Sequence, residues 1–496
     1  MPQRLTLTPQ RREILIVALL TLVSGALRVY GLGAKDLWLD EASSLFFARL
    51  PWSDLTAMLQ RVDQHPPLYY AILHISRVFG ESEAMLRAPS VLFGAAALPF
   101  VYGAARATGG RRAGVAAALL FALAPAQIRY AQEARMYTLL VCGIAAAMWG
   151  VLRLTREAGK GRTSSWAGVV AGLALALHAQ HSVLLPAMLT QIALGLVFRA
   201  RPAAERRAFA RRWVAACALL AALWLPLAPL FFTQARQVAT DFWIPSPDAA
   251  YVLRSLSFVY AAYAELLGVP GVVVLIVCAG AGFAGWAVLR RRAALQLRIL
   301  LLIQVGGPLL LLLISLWKPV FVGRALLWSA LPFYIAAGCL AAPAARSWVR
   351  MAIVCAVAVL QCVGLAAYHR EYRKEPWREA TTAVVRGARE GDLVLFHTPT
   401  GQIPFTYYAG DRARRLRLAG IPATLFDGGW EPRMDAHAAT AARARCARER
   451  SVWLVYTHFE YSDRGRILPA ALRENCTEEQ VWDFGPISVR RYSYSP

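Results

Sequence analysis

Long apolar windows separated by short polar connections occupy the first three quarters of the chain. A helix needs roughly 20 predominantly apolar residues to cross a hydrocarbon core of about 30 Å. Windows of that kind run near 14–32, 88–105, 113–129, 134–152, 165–180, 182–198, 213–232, 268–289, 298–316, 325–343 and 349–368. The pattern predicts an α-helical polytopic membrane protein with about 11 spans. The first window follows Arg11 and Arg12 and holds Ser24-Gly25-Ala26, as a signal peptide does, but its apolar run is long for a signal and reads as a retained span. The stretch His65 to Gly80 is apolar too, yet it contains Pro66, Pro67, His74 and Arg77, and it reads as an interfacial helix. After His369 the apolar windows stop. A helical pattern around Trp377 to Glu390 leads to a buried-strand candidate, Asp392 to Phe396, a helix after Pro404, and strand candidates Ser451 to Thr457 and Ile487 to Tyr492. That alternation predicts a small α/β domain. The expected organisation is a transmembrane domain over 1–369, with a first outer loop over 33–87, followed by a soluble α/β domain over 370–496.

Composition agrees: 57% of residues are apolar, 11% aromatic, and the mean hydropathy is +0.43. Disorder and an ordinary soluble fold are excluded. A net charge of +24 would suggest nucleic acid in a soluble protein, but the basic residues are distributed by topology. An odd number of spans puts the chain ends on opposite sides of the membrane, and short cytoplasmic loops are rich in Lys and Arg. With the N-terminus cytoplasmic, the inner side receives Arg4, Arg11, Arg12, Arg106, Arg111, Arg112, Arg153, Arg156, Lys160, Arg162, the arginines between 199 and 212, Arg290, Arg291, Arg292, Arg298, Arg346 and Arg350. These are 22 of the 34 basic residues before position 370. The outer loops then collect 11 of the 14 carboxylates of that region. The charge predicts orientation in a membrane, with no role for nucleic acid. Six cysteines lie in the apolar windows, whereas Cys446 and Cys476 share the outer domain and are candidates for a disulfide in an oxidising compartment. No Cys-x-x-Cys pair, Walker loop or dinucleotide fingerprint occurs, so a thiolate metal site, an ATP-driven motor and a nicotinamide enzyme have no support.

Three clusters of polar residues carry candidate chemistry. The first outer loop reads Trp38-Leu39-Asp40-Glu41, with His65-Pro66-Pro67-Leu68 further on. Adjacent carboxylates beside a span sit where the dielectric falls, so each can bind a proton or cation strongly. They equally suit a solvated helix start, where acids favour the dipole. The second cluster, Arg129-Tyr130-Ala131-Gln132-Glu133-Ala134-Arg135-Met136-Tyr137, fills a short turn between spans. Arg129 and Arg135 suit a phosphate and Glu133 a shared substrate, unless the residues merely pair with each other at the interface. The third is Arg324, entering an apolar span at its outer end, which either snorkels or binds a buried anion. His178 and His181 read as interfacial hydrogen-bonding groups, since no third metal ligand lies near in sequence.

Together these residues resemble the bacterial GT-C glycosyltransferases of the protein-mannosyltransferase and aminoarabinose-transferase type. The resemblance rests on Arg28 late in the first span, Trp38 with Asp40 and Glu41, His65-Pro66-Pro67-Leu68, Arg87-Ala88-Pro89-Ser90 and Arg324. The turn holding Gln132-Glu133-x-Arg135-x-Tyr137 departs from the family, where an Asp closes it. The resemblance covers the first 200 residues well and thins towards 370. It implies a sugar donor carried on a polyprenyl phosphate, a glycan, lipid or protein acceptor, and residence in the bacterial cytoplasmic membrane with the C-terminal domain periplasmic or extracellular. Asp40 is then the expected base and Glu41 its support or a cation ligand. Arg324 with Arg129 or Arg135 would be the phosphate partners, and Trp38, His65, Arg87, Glu133 and Tyr137 would line the substrate cavity. Direct displacement would invert the anomeric centre. A divalent cation is compatible with this reading but demanded by no ligand cluster. The competing readings are an oligosaccharide transferase or ligase with a larger lipid-linked donor, a non-enzymatic transporter of lipid-linked sugar, and a membrane scaffold whose outer domain is the active part.

Overall fold

The computed structural model describes residues 8–240, 244, 246–261, 263–343, 347–427, 432–446 and 449–494. Arg4 and Arg346, two of the basic residues used above for topology, lie outside them. The chain divides into two compact units. One comprises 1–32, 65–72 and 84–372; the other comprises 33–64, 73–83 and 373–496.

The first unit is helical. Among the described residues eight helices are long and apolar enough to cross a membrane, or nine if the bent pair Arg111–Leu123 and Pro125–Ala131 forms one span. The protein is therefore a multi-pass membrane protein. Each of the eleven apolar windows lies on helical structure, but two fall short by length and composition. Pro9–Val29 carries Arg11, Arg12, Glu13 and Arg28, and Thr163–Leu177 has only 15 residues. The stretch read as interfacial forms the nine-residue helix Leu68–Ser76 and a short turn after it, too short to span.

Small residues set the closest helix pairing. A Cβ on Gly143 would meet the Gly172 carbonyl at 2.5 Å, and one on Gly150 the Ser165 carbonyl at 2.4 Å. Helices Tyr137–Leu154 and Thr163–Leu177 therefore touch backbone to backbone, as membrane helices do when dispersion replaces the hydrophobic effect. The bent pair turns by 58° at Ala124-Pro125. Proline lacks the N–H that would continue the ladder and suits the first position of the next helix.

The second unit holds a five-stranded mixed sheet: β1 Leu393–His397, β2 Arg417–Gly420, β3 Ser451–Thr457, β4 Cys476–Asp483 and β5 Ile487–Tyr494, in the order β2-β1-β3-β5-β4. β1 runs parallel to both neighbours, with Leu395 opposite Ala419 and Leu454, while β3, β5 and β4 are antiparallel. β1 is buried along its whole length because both faces are covered. On one face Val394, Phe396, Trp453 and Val489 pack with Trp377, Val384 and Phe405 of two helices. On the other, Leu395, Leu454 and Tyr492 pack with Ala438, Ala442, Leu468 and Leu472 of two more. The expected α/β domain is present, with Cys446 and Cys476 joined in a disulfide. β2 and β4 were not expected. Both are edge strands; β2 (RLAG) is too short, and β4 (CTEEQVWD) too polar, to show the apolar alternation that marks a half-buried strand.

Candidate functional site

The acidic residues of the first loop lie in the second unit, at the start of helix Leu39–Arg49. Trp38 occupies the cap position and supplies no side-chain bond to the exposed N–H groups. The cap comes instead from the segment that follows the last long helix. Glu375 accepts hydrogen bonds from the Leu39 N–H (3.1 Å) and from the Trp377 indole (2.7 Å). Its other carboxylate oxygen lies 3.2 Å from His458 Nε2. One turn into the helix, Lys374 Nζ meets Glu41 Oε2 at 2.7 Å, with side-chain exposures of 2% and 0%. Ahead of the helix, Asp36 accepts from the Arg378 N–H at 2.9 Å, and the Leu37 N–H donates to the Tyr408 hydroxyl at 2.7 Å. Burial raises the Asp36 carboxyl above the usual range, partly offset by Arg378. Asp40 keeps partial exposure beside the buried Glu41, as does Trp38.

The second cluster belongs to the first unit. The turn from Arg129 to Tyr137 ties helix ends together. Gln132 donates to the carbonyls of Arg28 (3.0 Å) and Tyr30 (2.7 Å) at the end of Pro9–Val29, and accepts from the Tyr368 hydroxyl at 2.9 Å. Those carbonyls are the acceptors that a helix end leaves without partners. Arg28 is fully buried and donates to Ser24 and, at 3.5 Å, to the carbonyls of Phe121 and Ala122, where Arg111–Leu123 stops. A cation suits the negative end of a helix.

Arg129 donates to Glu133 (3.2 Å) and to the Tyr263 hydroxyl (2.6 Å). Its guanidinium lies 4.6 to 5.8 Å from the ring centres of Tyr130, Phe258, Tyr263 and Tyr372. Glu133 is fully buried, and its second oxygen has no hydrogen-bond partner among the described residues. Arg135 lies 3.4 Å from His65 Nε2, and its carbonyl accepts from Ser90, which also pairs with Tyr69. Tyr137 packs edge-on against Tyr130. Arg87 is buried and donates to the Leu32 carbonyl at 2.7 Å. Arg324, half-buried at the second residue of Gly323–Ala330, is near enough to Tyr130 to act on it electrostatically.

The structure thus gathers Arg129, Glu133, Arg135, His65 and Tyr137 around one turn, and places Trp38, Asp40 and Glu41 on one helix start. Lys374, Glu375, Tyr263, Tyr368 and Tyr372 were not anticipated. Lys374 and Glu375 gave no signal because their partners lie more than 300 residues away in the chain. Among the described residues no group of three or more His, Cys, Asp or Glu side chains is placed to hold a metal ion.

Residues 64–225 match the family model of dolichyl-phosphate-mannose-protein mannosyltransferases. The sequence matches no curated protein. The fold is similar to that of ArnT from Cupriavidus metallidurans bound to undecaprenyl phosphate, with a TM-score of 0.61, 13% identity and coverage of 98% of each chain. The apo state of ArnT gives a TM-score of 0.59 at 13% identity, covering 96% of this chain and 97% of that one. It also resembles the oligosaccharyltransferase AglB from Archaeoglobus fulgidus in complex with an inhibitory peptide and a dolichol-phosphate. That likeness has a TM-score of 0.56 at 14% identity and covers 98% of this chain and 74% of that one. The chain thus shares the fold of ArnT and AglB, and about a third of it matches the mannosyltransferase family model.

Proposed function

We propose that the protein is an inverting glycosyltransferase that moves a sugar from a polyprenyl-phosphate donor to an acceptor on the outer face of the cytoplasmic membrane. The observation that carries this reading is the fold likeness, over 98% of both chains, to a protein bound to undecaprenyl phosphate. The acidic helix start supplies the chemistry. Asp40 removes the proton of the acceptor hydroxyl as that oxygen attacks the anomeric carbon. The bond from that carbon to the phosphate oxygen breaks, and polyprenyl phosphate leaves as an anion. Arg324, with Arg129 or Arg135, stabilises the anion, because a guanidinium offers a planar fork of donors to phosphate and is less costly to desolvate than an ammonium. Arg129 would have to exchange part of its contact with Glu133 and Tyr263 to do so, which makes Arg324 and Arg135 the better assignments. Trp38, His65, Arg87, Glu133 and Tyr137 are assigned to substrate. Glu133, with one buried oxygen unpaired, suits an acceptor or sugar hydroxyl.

The alternative is a larger, oligosaccharide donor. The AglB likeness favours it, but this chain covers only 74% of AglB whereas it covers 98% of ArnT. Purified protein in detergent, given synthetic polyprenyl-phosphate sugars and the nascent acceptor pool of its own membrane, should release polyprenyl phosphate and form a product of inverted anomeric configuration. Retained configuration would overturn the displacement mechanism, and transfer from lipid-linked oligosaccharide alone would favour the alternative. Donor binding without bond cleavage would leave a transporter. A reporter joined after Pro496 should be active outside the cytoplasm, and activity confined to the cytoplasm would reverse the orientation.

A further inference from the structure

The segment after the last long helix runs antiparallel to the loop that carries the acidic pair and joins it at three points, with a fourth contact from Tyr408 of helix Gln402–Ala409. The Arg378 N–H holds Asp36, Glu375 caps Leu39, Lys374 pairs with Glu41, and Tyr408 anchors the Leu37 N–H. His458, just beyond the end of β3, backs Glu375 from the sheet side. Resting on the function proposed above, we infer that Lys374 and Glu375 are positioning residues that set where Asp40 points.

The geometry argues this directly. Successive residues of a helix project about 100° apart, so fixing Glu41 fixes the rotation of the first turn and with it the direction of Asp40. The cap residue supplies no side-chain bond, and without Glu375 the Leu39 N–H would lose this acceptor and the first turn would be prone to fray. A buried ion pair is a poor source of net stability, since an apolar pair of similar volume often does as well. What it supplies is register. An ammonium and a carboxylate that are both buried must find each other, and only one rotation of the helix allows it. The pair also makes Glu41 the poorer base, because a proton on it would remove the charge that Lys374 meets there. Asp40, one position away and partly exposed, keeps the chemical role.

The test uses the full-length protein in detergent and two measurements: kinetics of sugar transfer, and hydrogen exchange of Leu39–Arg49 against that of β1. Lys374→Met should lower kcat about 10- to 100-fold, the range expected for a misplacement near 1 Å, with KM for the lipid donor changed less than about threefold. Exchange of the acidic helix should rise about tenfold or more, while that of Leu393–His397 stays as in the wild type. Adding Glu41→Gln to Lys374→Met should leave the loss about where Lys374→Met alone puts it, since the register needs both members of the pair. Should Lys374→Met not fold, Glu375→Gln, which weakens the cap together with the contacts to Trp377 and His458, should show the same directions with a smaller change. Unchanged exchange in both variants would overturn the proposal. So would losses that simply multiply in the double variant, which would mean that Lys374 and Glu41 act independently. If the wild type transfers no sugar from any donor, the functional reading fails, while the exchange measurement still decides whether the clasp orders the helix.

Discussion

Two buried acid–base pairs invite comparison, one in each unit. Arg129–Glu133 is local, four residues apart, and the guanidinium spreads its charge over a tyrosine hydroxyl and four aromatic faces. Glu41–Lys374 spans 333 residues and sets a compact ammonium against a buried carboxylate. The local pair can form as soon as its turn does. The distant one can form only when the first loop and the segment after the last span have met. The first therefore stabilises a turn, and the second reports, and fixes, the register of two remote segments. A planar cation that can stack suits the crowded aromatic setting, whereas a point charge suits a buried carboxylate.

The largest effect expected from testing this contrast is at Asp40. Asp40→Asn keeps shape but removes the proton acceptor, so turnover should fall about 10²- to 10⁴-fold with membrane insertion and donor binding retained. Glu41→Gln should show a smaller loss of activity and a larger loss of stability, measured by thermal unfolding. Equal losses at both positions would break the division of roles between the two carboxylates. In the same unit, Cys446→Ser with Cys476→Ser should cost roughly 3 kcal/mol in the chain-entropy model, read as faster exchange in β3 and β5. No change there would show that the helices flanking the sheet hold it without the cross-link.

Next comes acid. Burial pushes the His397 imidazole down to about 4 from an ordinary value of 6.5. A depressed histidine binds its proton later in the folded state than in the unfolded one. Stability should therefore be full above pH 6.5, fall as pH drops towards 4, and level off below, by about 3 kcal/mol in total. His397→Gln should flatten that slope in thermal melts between pH 7 and 4.5, and an unaltered slope would assign it to the carboxylates. The smallest effect should be at the local pair. Arg129→Lys keeps the charge but loses the stacked plane and the fork, for about 1 kcal/mol in unfolding experiments. A loss as large as that of a broken distant pair would erase the contrast drawn here.

Much of this was legible without coordinates. Period and length alone separated the apolar windows from the C-terminal α/β region, because a membrane imposes about 20 apolar residues on any span and a sheet covered on both faces demands runs such as Leu393 to Phe396. The acidic pair, the Arg129–Tyr137 turn and Arg324 stood out because charge beside apolar segments is costly and so is informative. The number of spans was less secure. Pro9–Val29 hides Arg28 against the helix ends it caps, which no hydropathy sum can register.

The edge strand β2 escaped because four residues are too few to show a period, and β4 because a charged edge carries no apolar alternation. Lys374 and Glu375 escaped for a different reason. Each is an ordinary residue in a short linker, and its meaning comes from a partner brought close only by folding. The sequence by itself determined the membrane architecture, the α/β region and the short-range clusters, since periodicity and burial cost act over a few turns of chain. Which carboxylate of the acidic pair is held in an ion pair, and which is left partly exposed, was decided by tertiary structure, because that depends on a contact between segments whose order along the chain carries no information about their meeting.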